Sequence, residues 1–293
     1  MLKFDPSHQN VAISPNLKCR LLHHQDPYLR IGPFKEEQMS HRPYLVVFHD
    51  ILSEKDIKVL VQESRPKLSL ARTFDSDGGA QTNNEIKSGK RRRQIHKTVQ
   101  AWLEDVEWPS IKHPRDYVGK NYTRMVNPTL WKLNERISLA TQLVTNTHTS
   151  GSVMQVTNYG LAGICEHHID PHGIMESDEE YYRKAKPHLF IKGDILATFM
   201  AWLSHTEEGG GTAFLSPGYE SLIMPQKGSA GFWYDLYSDG FRDPTTLHGG
   251  CPVLKGSKWI LNKWIHWFDN FQKFPCNVNK KAPFDSPTFT KYY

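Results

Sequence analysis

Residues 195–234 read ILATFMAWLSHTEEGGGTAFLSPGYESLIMPQKGSAGFWY. Apolar β-type runs at 195–203, 212–215, 221–224 and 229–234 are separated by Glu-Glu-Gly-Gly-Gly, Ser-Pro-Gly and Pro-Gln-Lys-Gly, residues that make turns. None of these gaps is long enough for a helix, so consecutive strands return antiparallel. Outward from this block, further runs at 152–159, 164–170, 251–254 and 258–266 continue the rhythm. About eight short strands in roughly 115 residues predict a sandwich, barrel or jelly roll rather than strand–helix repeats. Upstream, Ser53 precedes apolar residues at Ile57, Leu60 and Val61, with Asp56 placed for a capping box and Pro66 as a stop. A second helix is predicted over 128–144, with Leu130, Leu133, Ile137, Ala140 and Val144 at helical spacing. Residues 1–42, polar and rich in His and Pro, read as an extended leader; 43–276 form one domain with its β core at about 151–276, and 277–293 form a tail.

The composition excludes several classes. The 293 residues include 8 Trp, 12 Tyr and 14 Phe, apolar mass that a disordered chain lacks. No segment approaches the ~18 apolar residues of a membrane span, and the first residues lack a signal peptide's apolar stretch. The net charge of +5 is mild, so nucleic acid is not an indicated partner. The basic run Lys87, Lys90, Arg91, Arg92, Arg93 and Lys97 falls in a polar stretch, 74–97, that reads as a loop without aromatics to stack on bases. A solvated loop, an acidic partner and a phosphate backbone remain open for it.

Chemistry concentrates in Cys165-Glu-His-His-Ile-Asp170-Pro-His172. On a strand, positions i and i+2 share a face, so His168 and Asp170 project together. One imidazole and one carboxylate are two-thirds of the two-His-one-carboxylate set that binds Fe(II). A surface histidine cluster or a zinc site would give the same tripeptide. His248, 78 residues after Asp170, is a candidate third donor, and Lys258 is a candidate cation for an anionic co-substrate.

Residues 151–276 resemble the catalytic domain of the collagen-type prolyl 4-hydroxylase α subunits. The resemblance is carried by Gln155-Val-Thr-Asn-Tyr159-Gly, Glu166-His-His168-Ile-Asp170, Ala197-Thr198, Gly209-Gly-Gly-Thr212, Pro225-Gln-Lys227-Gly, Phe232-Trp-Tyr234, His248-Gly-Gly-Cys251-Pro-Val and Lys258-Trp-Ile-Leu-Asn-Lys-Trp264-Ile-His266. It implies an α+β fold, a double-stranded β-helix (jelly-roll) core with N-terminal helices packed on it. It also implies an Fe(II)/2-oxoglutarate dioxygenase that hydroxylates proline in peptides to 4-hydroxyproline, releasing succinate and CO2, with L-ascorbate keeping iron reduced.

By the same resemblance, His168, Asp170 and His248 would bind the metal. Lys258 would hold the distal carboxylate of 2-oxoglutarate, with Tyr159 and Thr198 in the same pocket. His266 would be a further catalytic histidine. A disulfide between Cys251 and Cys276, the endoplasmic reticulum lumen and a protein disulfide isomerase subunit are implied too, against the missing signal peptide. The chain departs from the family at Cys165 (usually Tyr), His167 (usually Pro), His205 (usually Asp) and Val99 (usually Lys). These departures keep open a non-catalytic binding paralogue, or a dioxygenase with another substrate.

Overall fold

One continuous strand, Met154–His168, belongs to two faces of the fold. Its first half pairs with the last long strand, Tyr159 opposite Lys258, whereas its second half pairs with a three-residue strand, His168 opposite His248. The change of neighbour coincides with a bend between Gly160 and Gly163. Ala162 takes φ 60°, and a Cβ on Gly163 would lie 2.7 Å from the Gly160 carbonyl oxygen. Glycine is therefore required where the strand folds over itself.

The computed structural model describes residues 17–24, 26–71, 95–107, 124–174, 191–216, 219–274 and 281–284. In chain order the N-terminal elements are β1 (Cys19–Leu22), α1 (Pro27–Ile31), β2 (Phe34–Ser40), β3 (Leu45–His49), α2 (Glu54–Ser64), β4 (Ser69–Leu70), β5 (Ile95–Leu103), β6 (Val106–Glu107), β7 (Arg124–Met125) and α3 (Pro128–Thr141). The remainder is strand: β8 (Met154–His168), β9 (Ile195–Trp202), β10 (Glu208–Gly209), β11 (Thr212–Ser216), β12 (Tyr219–Ile223), β13 (Ala230–Tyr234), β14 (His248–Gly250), β15 (Val253–Lys255) and β16 (Lys258–His266). The main sheet runs β1-β2-β3-β13-β9-β16-β8-β14-β11-β12, with β5 along β8 and β4 beyond it. Folded at the β8 bend, it gives two antiparallel four-stranded layers: β13-β9-β16 with the first half of β8, and the second half of β8 with β14-β11-β12. This is the double-stranded β-helix.

Both faces of the first layer are buried. All eight residues of β9 are buried. Phe199, Ala201 and Leu203 pack outward against α2 and α3 through Ile57, Leu60, Leu130, Leu133 and Ile137. Met200 and Trp202 turn inward and meet Tyr159, Phe214, Trp233 and Ile260 between the layers. The helices begin as predicted: the Ser53 side chain caps α2 by accepting from the Asp56 N–H, and Asn127 caps α3 by accepting from the Leu130 N–H. Helix α3 ends at Thr141 rather than 144 because Gln142 adopts the left-handed conformation and the Val144 N–H turns to the Asn270 side chain, 2.7 Å away.

Residues 17–42 differ from the leader expected for 1–42. Strands β1 and β2 extend the main sheet through β3. Beyond Leu22 and Phe34 their buried face is polar: Glu36 pairs with Arg20 at 2.6 Å and Gln38 bonds His41 at 3.0 Å, so sustained apolar alternation is absent from the sequence. Of the stretch expected as a loop over 74–97, residues from Ile95 onward belong to β5, and the basic residues at 87–93 lie outside the described residues. The expected tail contributes Phe284, which is buried against Tyr234 and Phe274 at ring separations of 4.7 and 4.5 Å. Among the described residues no helix is long and apolar enough to cross a membrane.

Candidate metal centre

The β8–β14 pairing sets His168 directly opposite His248. Asp170, two residues past His168, turns back between them: its Oδ1 is 3.4 Å from His168 Nε2 and its Oδ2 is 3.7 Å from His248 Nε2. The three donor atoms lie within 4.8 Å of one another. Each imidazole donates Nδ1–H to a backbone carbonyl two residues before it, His168 to Glu166 at 2.8 Å and His248 to Thr246 at 2.9 Å. That assignment follows from the partners, since a carbonyl can only accept, and it leaves both Nε2 atoms facing the carboxylate. Backbone carbonyls behind metal-binding imidazoles fix the tautomer in this way.

The electrostatics agree. Burial works against charge on His168, yet its bonding to Asp170 outweighs that and raises its pKa to about 10. Burial likewise opposes the Asp170 carboxylate, but His248 and His168 hold its pKa well below the ordinary range. Two neutral imidazole nitrogens, one carboxylate oxygen and no thiolate among the three donors suit Fe(II) with coordination positions to spare. Phe214 and Trp233, whose rings lie 5.4 and 4.9 Å from that of His248, make the flanking wall apolar.

Lys258 starts β16 opposite Tyr159, and its ammonium lies 5.6 Å from the Tyr159 ring centroid. Only 2% of the residue is exposed. Its Nζ donates to Thr212 Oγ1 at 3.2 Å, and among the described residues no carboxylate is within ion-pair reach. Desolvation lowers its pKa to about 8, offset in part by the nearby thiols of Cys251 and Cys165. Cys165 Sγ is in turn 3.8 Å from His168 Nδ1, so one thiol neighbours both the ammonium and the first imidazole.

Thr198 and His266 occupy different surroundings. The Thr198 hydroxyl lies 2.7 Å from Asp170 Oδ2 and 2.7 Å from Asp235 Oδ2, so it serves the carboxylates rather than the Lys258 end. Buried His266 shares a hydrogen bond with the Gly193 carbonyl at 3.1 Å. Desolvation, reinforced by Lys192, holds its pKa near 3, so it is neutral. Among the described residues no disulfide joins Cys19, Cys165 and Cys251, and Cys276, the implied partner of Cys251, lies outside the described residues.

Two carboxylates escaped the sequence reading. Asp194 accepts from the N–H groups of His172, Gly173 and Ile174 at 2.7–3.0 Å and so fixes the segment that follows Asp170. Asp235, fully buried, accepts from Trp233 Nε1–H at 2.8 Å. The signal for each was a lone Asp inside or beside an apolar strand, where a charge needs a partner.

Fold and site together define a 2-oxoglutarate- and iron(II)-dependent oxygenase domain. Residues 154–266 match the 2OG-Fe(II) oxygenase superfamily. Similarity extends to nearly the whole chain in prolyl 4-hydroxylase α subunits. The chicken (Gallus gallus) subunit alpha-2 is 32% identical over 273 residues, covering 92% of this chain and 43% of the relative. The human (Homo sapiens) subunit alpha-3 is 31% identical over 266 residues, covering 90% and 41%. The chain thus spans less than half the length of these curated relatives. Among solved structures, the viral collagen prolyl hydroxylase from Paramecium Bursaria Chlorella virus-1, as its 2OG complex, aligns over 76% of this chain and 96% of its own. Its identity is 23% and its TM-score 0.46.

Proposed function

We propose that the chain hydroxylates proline in peptides or proteins to 4-hydroxyproline, with Fe(II) held by His168, Asp170 and His248 and with 2-oxoglutarate as co-substrate. One observation carries this reading. A desolvated ammonium, Lys258, has no carboxylate partner among the described residues and shares a neighbour, Cys165, with His168 of the three-donor cluster. An uncompensated buried charge is costly, and a dicarboxylate bridging metal and lysine would supply the missing anion.

In this reading Lys258, aided by Thr212 and Tyr159, binds and orients the distal carboxylate. Iron held by His168, Asp170 and His248 would supply oxygen activation coupled to decarboxylation of the co-substrate, with one oxygen atom of O2 ending in succinate and the other in the hydroxyl group on proline. Phe214 and Trp233 exclude water on the His248 side, which protects the reaction from unproductive oxidation. His266, neutral and anchored by Gly193, would be a hydrogen-bonding group near the reacting centre rather than a cation. L-Ascorbate as reductant, the endoplasmic reticulum lumen, a Cys251–Cys276 disulfide and a protein disulfide isomerase subunit complete the proposal, supported by similarity to the α subunits alone.

The test is succinate release from 2-oxoglutarate with Fe(II) and ascorbate, with and without proline-rich peptides, and with His168→Ala as blank. Peptide-stimulated release with one oxygen gained on proline is the expected result. Tight metal binding without turnover on any peptide would favour the non-catalytic reading.

A further inference from the structure

The hydroxyl of Thr198 is within 2.7 Å of two carboxyl oxygens, Asp170 Oδ2 and Asp235 Oδ2. A threonine hydroxyl has one proton to donate and lone pairs to accept with. Two anionic oxygens at that distance cannot both be satisfied by one proton, so one of the two contacts runs the other way. Asp170 lies between two imidazole nitrogens and is the natural anion. The second proton therefore belongs to Asp235, whose Oδ2–H donates to Thr198 Oγ1, while its Oδ1 accepts from Trp233 Nε1–H at 2.8 Å. Every polar atom of the chain Trp233–Asp235–Thr198–Asp170 then has a partner, which buried polar groups require. Burial, reinforced by the neighbouring Asp170 charge, pushes the Asp235 carboxyl pKa well above the usual range.

We infer that Asp235 is a positioning residue for the metal centre: a neutral carboxylic acid that locks the Thr198 hydroxyl toward Asp170 and so fixes the orientation of that carboxylate. This rests on the metal-site reading above and extends it to a residue behind the donors. Register explains why the device exists here. Thr198 on β9 is the cross-strand partner of Trp233 on β13, and Asp235 follows two residues on, along the same face as Trp233. The Trp233 ring touching His248 and the Trp233 N–H held by Asp235 link the same carboxyl to a second member of the triad.

The roles make an unusual demand on substitution. Asparagine can reproduce both contacts, donating Nδ2–H to Thr198 and accepting from Trp233, whereas leucine can reproduce neither. Anaerobic titration of the metal-free protein with Co(II), followed by its visible absorption, reads the centre without turnover. Asp235→Asn should bind within about threefold of the unmodified protein, with the same spectrum. Asp235→Leu and Thr198→Val should each bind roughly 10–100-fold more weakly, the range for partners of metal ligands. Their double variant should be little worse than either, because both break one chain.

Equal loss in Asp235→Asn and Asp235→Leu would overturn the neutral-acid assignment, and wild-type binding by Asp235→Leu would overturn the positioning role. Should Asp235→Leu fail to fold, Asp235→Asn against Thr198→Val decides the same question. If the unmodified protein binds no more Co(II) than His168→Ala, the metal-site reading itself fails and this inference falls with it.

Discussion

The imidazoles of His168 and His248 are cross-strand partners, with ring centroids 4.5 Å apart. Two residues separated by 80 positions in the chain are thus held at coordinating distance by a strand pairing, and the pairing rather than either loop determines whether the centre exists.

Replacing any one donor should therefore remove the centre while sparing the fold. His168→Ala, Asp170→Ala and His248→Ala are each expected to lower Fe(II) affinity by more than the ~100-fold upper range for residues behind the ligands, and to abolish succinate formation. Isothermal titration under anaerobic conditions checks the first effect and product assay the second. Unchanged turnover in any of the three would remove that residue from the metal set.

Lys258→Met should separate binding from fold stability. Loss of a charge-assisted hydrogen bond of about 1.5–3 kcal/mol predicts a roughly 10–150-fold rise in the 2-oxoglutarate KM. The metal-free variant should meanwhile have a higher Tm, because a desolvated ammonium without a counter-ion has been replaced by an apolar chain of similar length. A KM within twofold of wild type would exclude Lys258 from co-substrate binding.

The same lysine gives a pH dependence. Its pKa, depressed by burial to about 8, means that the ammonium is present below that value and lost above it. The 2-oxoglutarate KM should be level up to pH 8 and rise on further alkalinisation. In Lys258→Arg, whose guanidinium stays charged, the rise should vanish whatever the absolute KM. A rise that persists in Lys258→Arg would assign it to another group.

Gly249→Ala tests the strand pairing. A Cβ there would lie 3.0 Å from the Cys165 carbonyl oxygen and 3.0 Å from His167 Cδ2, forcing β14 away from β8. The expected cost is about 1–3 kcal/mol in denaturant unfolding, together with weaker Fe(II) binding. Ile137→Ala, on the far side of the fold in α3, should cost about 2–5 kcal/mol yet leave metal affinity of the folded protein unchanged.

The parts of this architecture legible in the sequence are those governed by local pattern. Strands β8, β9, β13 and β16 announce themselves through β-type runs bounded by glycine and proline, and α2 and α3 through caps and helical spacing. His168 and Asp170 stand out because they are two residues apart. His248 does not: its place opposite His168 depends on how the intervening strands return, so spacing makes it only a candidate, 78 residues after Asp170, and the resemblance selects it. Strand β2 was hidden for a different reason, since its buried positions Glu36, Gln38 and Ser40 satisfy one another and their neighbours by polar contacts, reversing the usual alternation. Asp235, directly after the run at 229–234, carries no pattern that marks it, because a neutral, hydrogen-bonded carboxylic acid sits at the end of an apolar strand as its ionised form would not.

Strand β8 bears Tyr159 opposite Lys258 at one point and His168 opposite His248 nine residues later, without a chain break or a flexible connection between them. In the proposed complex the two ends of the co-substrate are gripped from these two points, so a single length of backbone, bent once at glycine, acts as a gauge of the distance between them. A keto diacid one carbon shorter or longer than 2-oxoglutarate would seat one end only, and discrimination among such acids becomes a property of the strand's shape.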